Sequence, residues 1–185
     1  MFKWLMHRET AAFERLWNYD AGYVHELIDI DPRAAWMFQR ATALGKYRRD
    51  VPLDALFAAG ITAVRSEDCG PCTQLAVSMA EKMGVDPKVL RVLTETPLMM
   101  PPDVALAWRF ARATLDHDPS ADQYRDEIVR RWGKRALVSL AYAILTARMY
   151  PTVKYAMGHG KACTRIVVDG APIVFDKALA AVQRG

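Results

Sequence analysis

The sequence predicts an all-α protein with a short β-hairpin close to its C-terminal end. Apolar residues recur at three- and four-residue spacing along most of the chain, the period of an amphipathic helix. Asp31-Pro32 and Asp86-Pro87 each place an N-cap acceptor before a proline, and Gly45 and Gly84 fall where helices would end. Strand character is confined to the tail.

Taken in order, helices are expected over residues 10–19, 21–28, 32–44, 53–65, 70–83, 87–94, 102–115, 121–132 and 134–149, with a continuation at 152–157. In the fourth, Leu53, Leu56, Phe57, Gly60, Ile61 and Val64 mark one buried face. Leu75, Ala76, Met79, Ala80 and Met83 do so in the fifth. The apolar run at 136–147, between Arg135 and Arg148, is about twelve residues long. A membrane span needs roughly twenty, so a buried helix is expected and no membrane association. In the tail, Ile166-Val167-Val168, Asp169-Gly170 and Ile173-Val174 form the hairpin pattern, weakened by Pro172, which lacks a ladder donor. A last short helix is expected from Lys177.

The 185 residues imply one domain. Within it, N-terminal helices (8–46) precede a core carrying the cysteine pair (53–157) and a tail (158–185). A hydrophobic fraction of 52% supplies a core and argues against disorder. The net charge of +4 is dispersed; Lys46-Tyr47-Arg48-Arg49, the densest basic cluster, reads as a solvated helix end, and nucleic acid is not an expected partner. Residues 1–9 show neither a sustained apolar region nor a small-residue cleavage site, so a cytoplasmic location is expected.

Chemistry concentrates in Glu67-Asp68-Cys69-Gly70-Pro71-Cys72. The chain has three cysteines, Cys69, Cys72 and Cys163, too few for a secreted disulfide framework. Cys69 and Cys72 sit three apart at a helix start and extend the apolar stripe of the following helix, so their side chains are expected to be neighbours able to close a disulfide. A helix N-terminus favours the thiolate, which is the nucleophile. Pro71 suits a first turn, and Gly70 leaves room for a substrate to approach sulfur. Glu67 and Asp68 push a thiol's pKa up, Arg65 offsets them, and Glu67 is also a candidate proton acceptor.

Two other readings exist: both cysteines as packing residues, or a zinc site of Cys69, Cys72, His159 and Cys163. The pair at 159 and 163 lacks a knuckle, and a helical core this size needs no metal staple, so neither metal nor cofactor is expected. Cys163 reads as a spectator. His159, between Gly158 and Gly160, is a candidate to fold back over the thiols; His25, His117 and Tyr142 have weaker claims, and Met99-Met100 resembles an apolar plug at a subunit contact.

Cys-Gly-Pro-Cys is the thioredoxin arrangement, but the preceding segment has helical periodicity where thioredoxins have a buried strand. The stretch from Ile61 through Cys69-Gly70-Pro71-Cys72 to Leu75, with Met79-Ala80 and Gly84-Val85, instead resembles the carboxymuconolactone decarboxylase / alkyl hydroperoxidase D family. That resemblance implies an all-helical bundle forming trimers or hexamers. It also implies a thiol-dependent antioxidant in which Cys72 attacks a peroxide or disulfide, Cys69 resolves the product, and a dithiol donor restores the pair. The family's histidine position is Ala76 here and its glutamate position is Phe57. Alternatives are a scaffold that binds or assembles without catalysis and, third, a lactone decarboxylase, for which neither Phe57 nor Ala76 supplies an acid–base group. A dimer is a further possible assembly.

Overall fold

The computed structural model describes residues 2–95, 99–161 and 165–174. Cys163 and the helix expected from Lys177 lie outside them. The order is α1 (Phe2–Trp17), α2 (Gly22–Ile30), α3 (Pro32–Thr42) running into a 3-10 turn (Ala43–Lys46), α4 (Leu53–Ser66), α5 (Gly70–Lys82), α6 (Pro87–Glu95), α7 (Pro102–Leu115), α8 (Ala121–Ala156), β1 (Arg165–Val168) and β2 (Ala171–Val174). The all-α expectation with a C-terminal hairpin holds.

α4 is the central helix and packs on α7, α8 and α5. Its tightest face is the alanine side: Ala55, Ala58, Ala59 and Ala63 are fully buried, opposite an α7 that buries Ala107 and Ala111 as completely. Side chains this small let helices approach closely. The face expected to be core, Leu56, Phe57, Gly60, Ile61 and Val64, also points inward, but it borders a cavity. α5 divides in the same way, with Ala80 of its expected stripe buried. Thr73, Val77 and Ala80 are buried against the body of the protein, while Leu75, Ala76 and Met79 turn to the cavity and Met83 is 45% exposed. Apolar spacing marks a face without saying whether atoms or empty space lie beyond it.

α8 is interrupted at Gly133, whose φ of 83° and ψ of 172° are non-helical. This matches the expected boundary between residues 132 and 134, because such a φ suits a residue without Cβ. In the second arm Ala136, Leu140 and Ile144 are core, whereas Val138 (40%) and Leu145 (48%) face outward. Within the single chain the run is thus buried on one side; the helical period carries 138 and 145 to the opposite face. Among the described residues, α8 is the one helix long and apolar enough to cross a membrane by length and composition.

The hairpin pairs Ile166 with Ile173 and Val168 with Ala171 around Asp169-Gly170. Both turn residues have positive φ (49° and 69°), as a two-residue hairpin turn requires. Ile166, Val168 and Ile173 are buried, and side chains satisfy the outer main-chain groups. Gln74 Oε1 accepts from Val167 N (2.6 Å), Gln74 Nε2 donates to Val167 O (3.0 Å), and Arg91 donates to Val168 O (2.9 Å). Pro172 is tolerated because its residue is exposed and lies in a two-stranded sheet.

α1 begins eight residues earlier than expected, carrying Phe2, Trp4 and Leu5 into solvent. It is tied to α2 by a row of four side chains. His7 Nδ1 faces His25 Nδ1 at 2.7 Å, with ring planes within 7°; the outer nitrogens meet Asp29 (3.0 Å) and Glu14 (3.3 Å). His25 thus serves to join helices.

Candidate active site

The chain enters α5 through Asp68, whose φ is 50°, and Cys69, which is extended (φ −99°, ψ 97°) and caps the helix. Three bonds fix this corner. Tyr155 donates its hydroxyl to Asp68 O (2.9 Å), Gly70 N donates to Lys161 O (3.2 Å), and Thr73 Oγ1 donates to Cys69 O (2.9 Å). Gly160 is required here, since a Cβ would run into the Tyr155 ring. Cys69 is therefore at the helix cap and Cys72 within the first turn, in keeping with the helix start expected at residue 70. The buried Gly70 is taken up by its main-chain bond and provides no approach for a substrate.

Cys69 and Cys72 form a disulfide with their Cα atoms 5.4 Å apart. It packs with Val64, Ala76 and Ala147. The two sulfurs differ in access: Cys69 is fully buried, whereas Cys72 is 5% exposed and lines a cavity of about 450 Å³. The cavity lies between the N-terminal helices, which contribute Phe13 and Phe38, and the face of α4, α5 and α8 that contributes Phe57, Leu75, Ala76 and Tyr150. Arg48 also lines it, its guanidinium 5.5 Å from the Phe57 ring centroid. The supposed solvated helix end is in part a cavity wall.

Tyr19 and Lys154 complete the surroundings of Cys72. The Tyr19 hydroxyl lies 3.6 Å from Cys72 Sγ; a disulfide sulfur carries no proton, so the hydroxyl donates. Lys154, 1% exposed on α8, donates to Asp20 O at 3.0 Å. Its Nζ also sits 4.6 Å from the Tyr19 ring centroid and 5.5 Å from that of Tyr23. Burial pushes the Tyr19 hydroxyl up to about 12, against a smaller lowering by a hydrogen bond with Tyr23. Burial raises the Tyr23 hydroxyl too. It lowers the Lys154 ammonium, with the Asp20 carboxylate acting the other way. A backbone hydrogen bond from Gly22 N, the largest influence on Asp20, holds its carboxyl below the ordinary value.

The other candidates are placed elsewhere. Glu67 accepts from Arg148 Nε at 2.5 Å, so its carboxylate is engaged, and it does not line the cavity. His159 accepts or donates at Glu26 (2.7 Å) and stands beyond Tyr23, ring centroids 6.5 Å apart; it closes onto α2 and is not among the cavity-lining residues that include Cys72. Arg65 donates to Leu93 O. Tyr142 packs edge-on against Tyr47, and His117 is an exposed turn residue with φ 56°. Met100 is 9% exposed while Met99 is 75% exposed. Among the described residues no group of three or more His, Cys, Asp or Glu is arranged for a metal.

Sequence reading missed Tyr19, which lies 53 residues before its sulfur contact and belongs to no local pattern. Lys154 left a signal. Ala136, Leu140, Ile144, Pro151 and Lys154 are buried on α8, and a lysine continuing a buried apolar stripe is a residue type almost never fully buried without a partner.

Fold and site together define an all-α protein with a Cys-x-x-Cys disulfide whose second sulfur residue, Cys72, lines an apolar cavity. No family model, curated protein or solved structure matches the chain.

Gly60 tests the cavity directly. It lines the space, and a Cβ there would meet nothing within 4 Å. Gly60→Ala is expected to stabilise the protein by about 0.5–1 kcal/mol in urea unfolding, because alanine restricts the unfolded chain and suits a helix. Gly60→Phe is expected to fill the cavity and slow alkylation of reduced Cys72. Equal rates in the two variants would show that reagents reach the sulfur by another path.

Proposed function

We propose that this chain is a thiol-dependent oxidoreductase in which Cys69 and Cys72 alternate between dithiol and disulfide, and that it is a divergent relative of the carboxymuconolactone decarboxylase / alkyl hydroperoxidase D family. The observation that carries the reading is the unequal access of a bonded pair: Cys72 reaches a cavity while Cys69 lies buried behind it. That is the arrangement of an attacking and a resolving thiol. With a hydroperoxide ROOH, the Cys72 thiolate attacks the outer oxygen and the O–O bond breaks. RO⁻ leaves, taking a proton to become ROH, and Cys72 becomes a sulfenic acid. Cys69 then attacks that sulfur, the S–S bond forms, and hydroxide leaves as water after taking the second thiol's proton. A cellular dithiol returns the pair to its reduced form. A reducing, cytoplasmic setting and a homo-oligomer suit this chemistry and the exposed Val138, Leu145 and Met99.

Phe57 and Ala76, where the family has its glutamate and histidine, both line the cavity. Neither moves a proton. General base assistance is commonly worth about 10²–10⁴-fold, so slow peroxide turnover and more effective disulfide exchange are expected. The same apolar lining favours one other reading, a binding protein whose disulfide is structural.

The test is thiol counting. Reduced protein is treated with an organic hydroperoxide or a small disulfide, and peptides are mapped. Cys69 and Cys72 are expected to disappear together as one disulfide and return on adding a dithiol. A pair that resists both steps, in a protein that still takes up an apolar fluorescent probe, would favour the binding reading.

A further inference from the structure

We propose that Tyr19 is a catalytic residue that hydrogen-bonds the Cys72 sulfur as a thiolate, and that the buried Lys154 is a positioning residue acting through the Tyr19 ring. This deepens the oxidoreductase reading and rests on it. The 3.6 Å hydroxyl–sulfur contact exists already in the disulfide. Once the S–S bond opens, Cys72 carries negative charge in an apolar cavity, and the hydroxyl becomes a charge-assisted donor without moving. Tyr19 is 7% exposed and held edge-on by Phe13 at 6.0 Å, so the donor is preorganised.

Lys154 supplies the charge. Its hydrogen-bond partner is a main-chain carbonyl, Asp20 O, and its ammonium lies over the Tyr19 and Tyr23 rings. A cation over a phenol ring withdraws electron density from it and strengthens the O–H as a donor. A buried cation is costly without a counter-charge; the Asp20 carboxylate supplies one, and the Cys72 thiolate, against the same tyrosine, adds a second when the pair is reduced. The other charged or titratable groups around this point include Asp20 and Tyr23 from the α1–α2 side, Tyr150 on α8, Lys161 after it, Asp68 and the Arg148-paired Glu67 on the Cys69 side, and Glu9 and Arg48 in the cavity wall.

In disulfide reduction the Cys72 thiolate attacks one sulfur of RS–SR, forming Cys72–SR and releasing RS⁻. Cys69 attacks Cys72 Sγ, forms the internal disulfide and releases the second RS⁻. The substrate gains two electrons, the protein pair loses two, and both protein thiol protons end on the released RS⁻. Tyr19 keeps its proton throughout, consistent with a hydroxyl pushed well above its ordinary value.

The test measures the Cys72 thiol through the pH dependence of its alkylation in full-length Cys69→Ser/Cys163→Ser protein. Tyr19→Phe keeps the ring and is expected to move the midpoint up by about one pH unit, which is roughly tenfold less thiolate below the midpoint. Lys154→Met is expected to shift it in the same direction, with Lys154→Arg returning part of the shift. An unchanged midpoint in Tyr19→Phe overturns the proposal, whether or not the lysine variants fold. The two readings fail differently: a wild-type pair that never cycles removes the oxidoreductase reading, whereas normal cycling with an unshifted Tyr19→Phe midpoint removes only the role of Tyr19.

Discussion

Cys72→Ser is expected to abolish reaction with hydroperoxides and disulfides altogether, while Cys69→Ser is expected to stop after the first half-reaction and accumulate substrate bound to Cys72. The asymmetry follows from access. Cys72 lines the cavity and Cys69 is fully buried behind it, so a molecule entering the cavity meets one sulfur first. Serine's hydroxyl is a far weaker nucleophile at neutral pH than a thiolate, and the other described cysteine, Cys69, is fully buried. Mass spectrometry of the two variants after exposure to a small disulfide reads the result. An adduct on Cys69 in the Cys72→Ser protein would reverse the assigned order, and turnover in both variants would remove the pair from the mechanism.

Leu140→Ala is expected to cost about 2–5 kcal/mol in urea unfolding, the range for truncating a large side chain in a core that relaxes only in part. Leu140 has no exposed surface and sits on the buried face of α8 against α4 and α7. Leu145→Ala, on the opposite face at 48% exposure, is the control and should change stability by roughly 0.5 kcal/mol or less. A loss at Leu145 as large as that at Leu140 would mean that a partner covers the outer face in solution. An unchanged slope against denaturant would show that the Leu140 loss is one of stability alone.

Much of the architecture was legible because its causes are local. Asp31 N-caps α3, accepting from Arg33 N at 2.8 Å, with Pro32 beginning the helix, and Asp86 likewise accepts from Lys88 N ahead of α6. Asp169-Gly170 makes the hairpin turn, and the non-helical Gly133 separates the two arms of α8. Each is settled within a few residues by backbone sterics and short-range hydrogen bonds. The Cys-x-x-Cys spacing belongs to the same group, since three residues at a helix start bring two sulfurs within bonding reach.

The misplaced features all depend on what lies across a gap. The apolar stripes of α4 and α5 read as solid core; Leu56, Ile61, Val64 and Ala80 are buried, but Phe57, Leu75, Ala76 and Met79 face a cavity. Glu67 looked available beside the cysteines, but Arg148, 81 residues on, takes its carboxylate. His159 looked free to cover the thiols and is held by Glu26 from α2.

Local order along the chain was enough to establish helices, caps, the hairpin and a cysteine pair within bonding distance, because these interactions span a turn or less. Three-dimensional packing alone chose which sulfur meets the cavity and which side chains stand beside it. Tyr19, Lys154 and Cys72 are drawn from a loop, the end of α8 and the start of α5, and they meet because burying the apolar faces of those helices leaves them no other place.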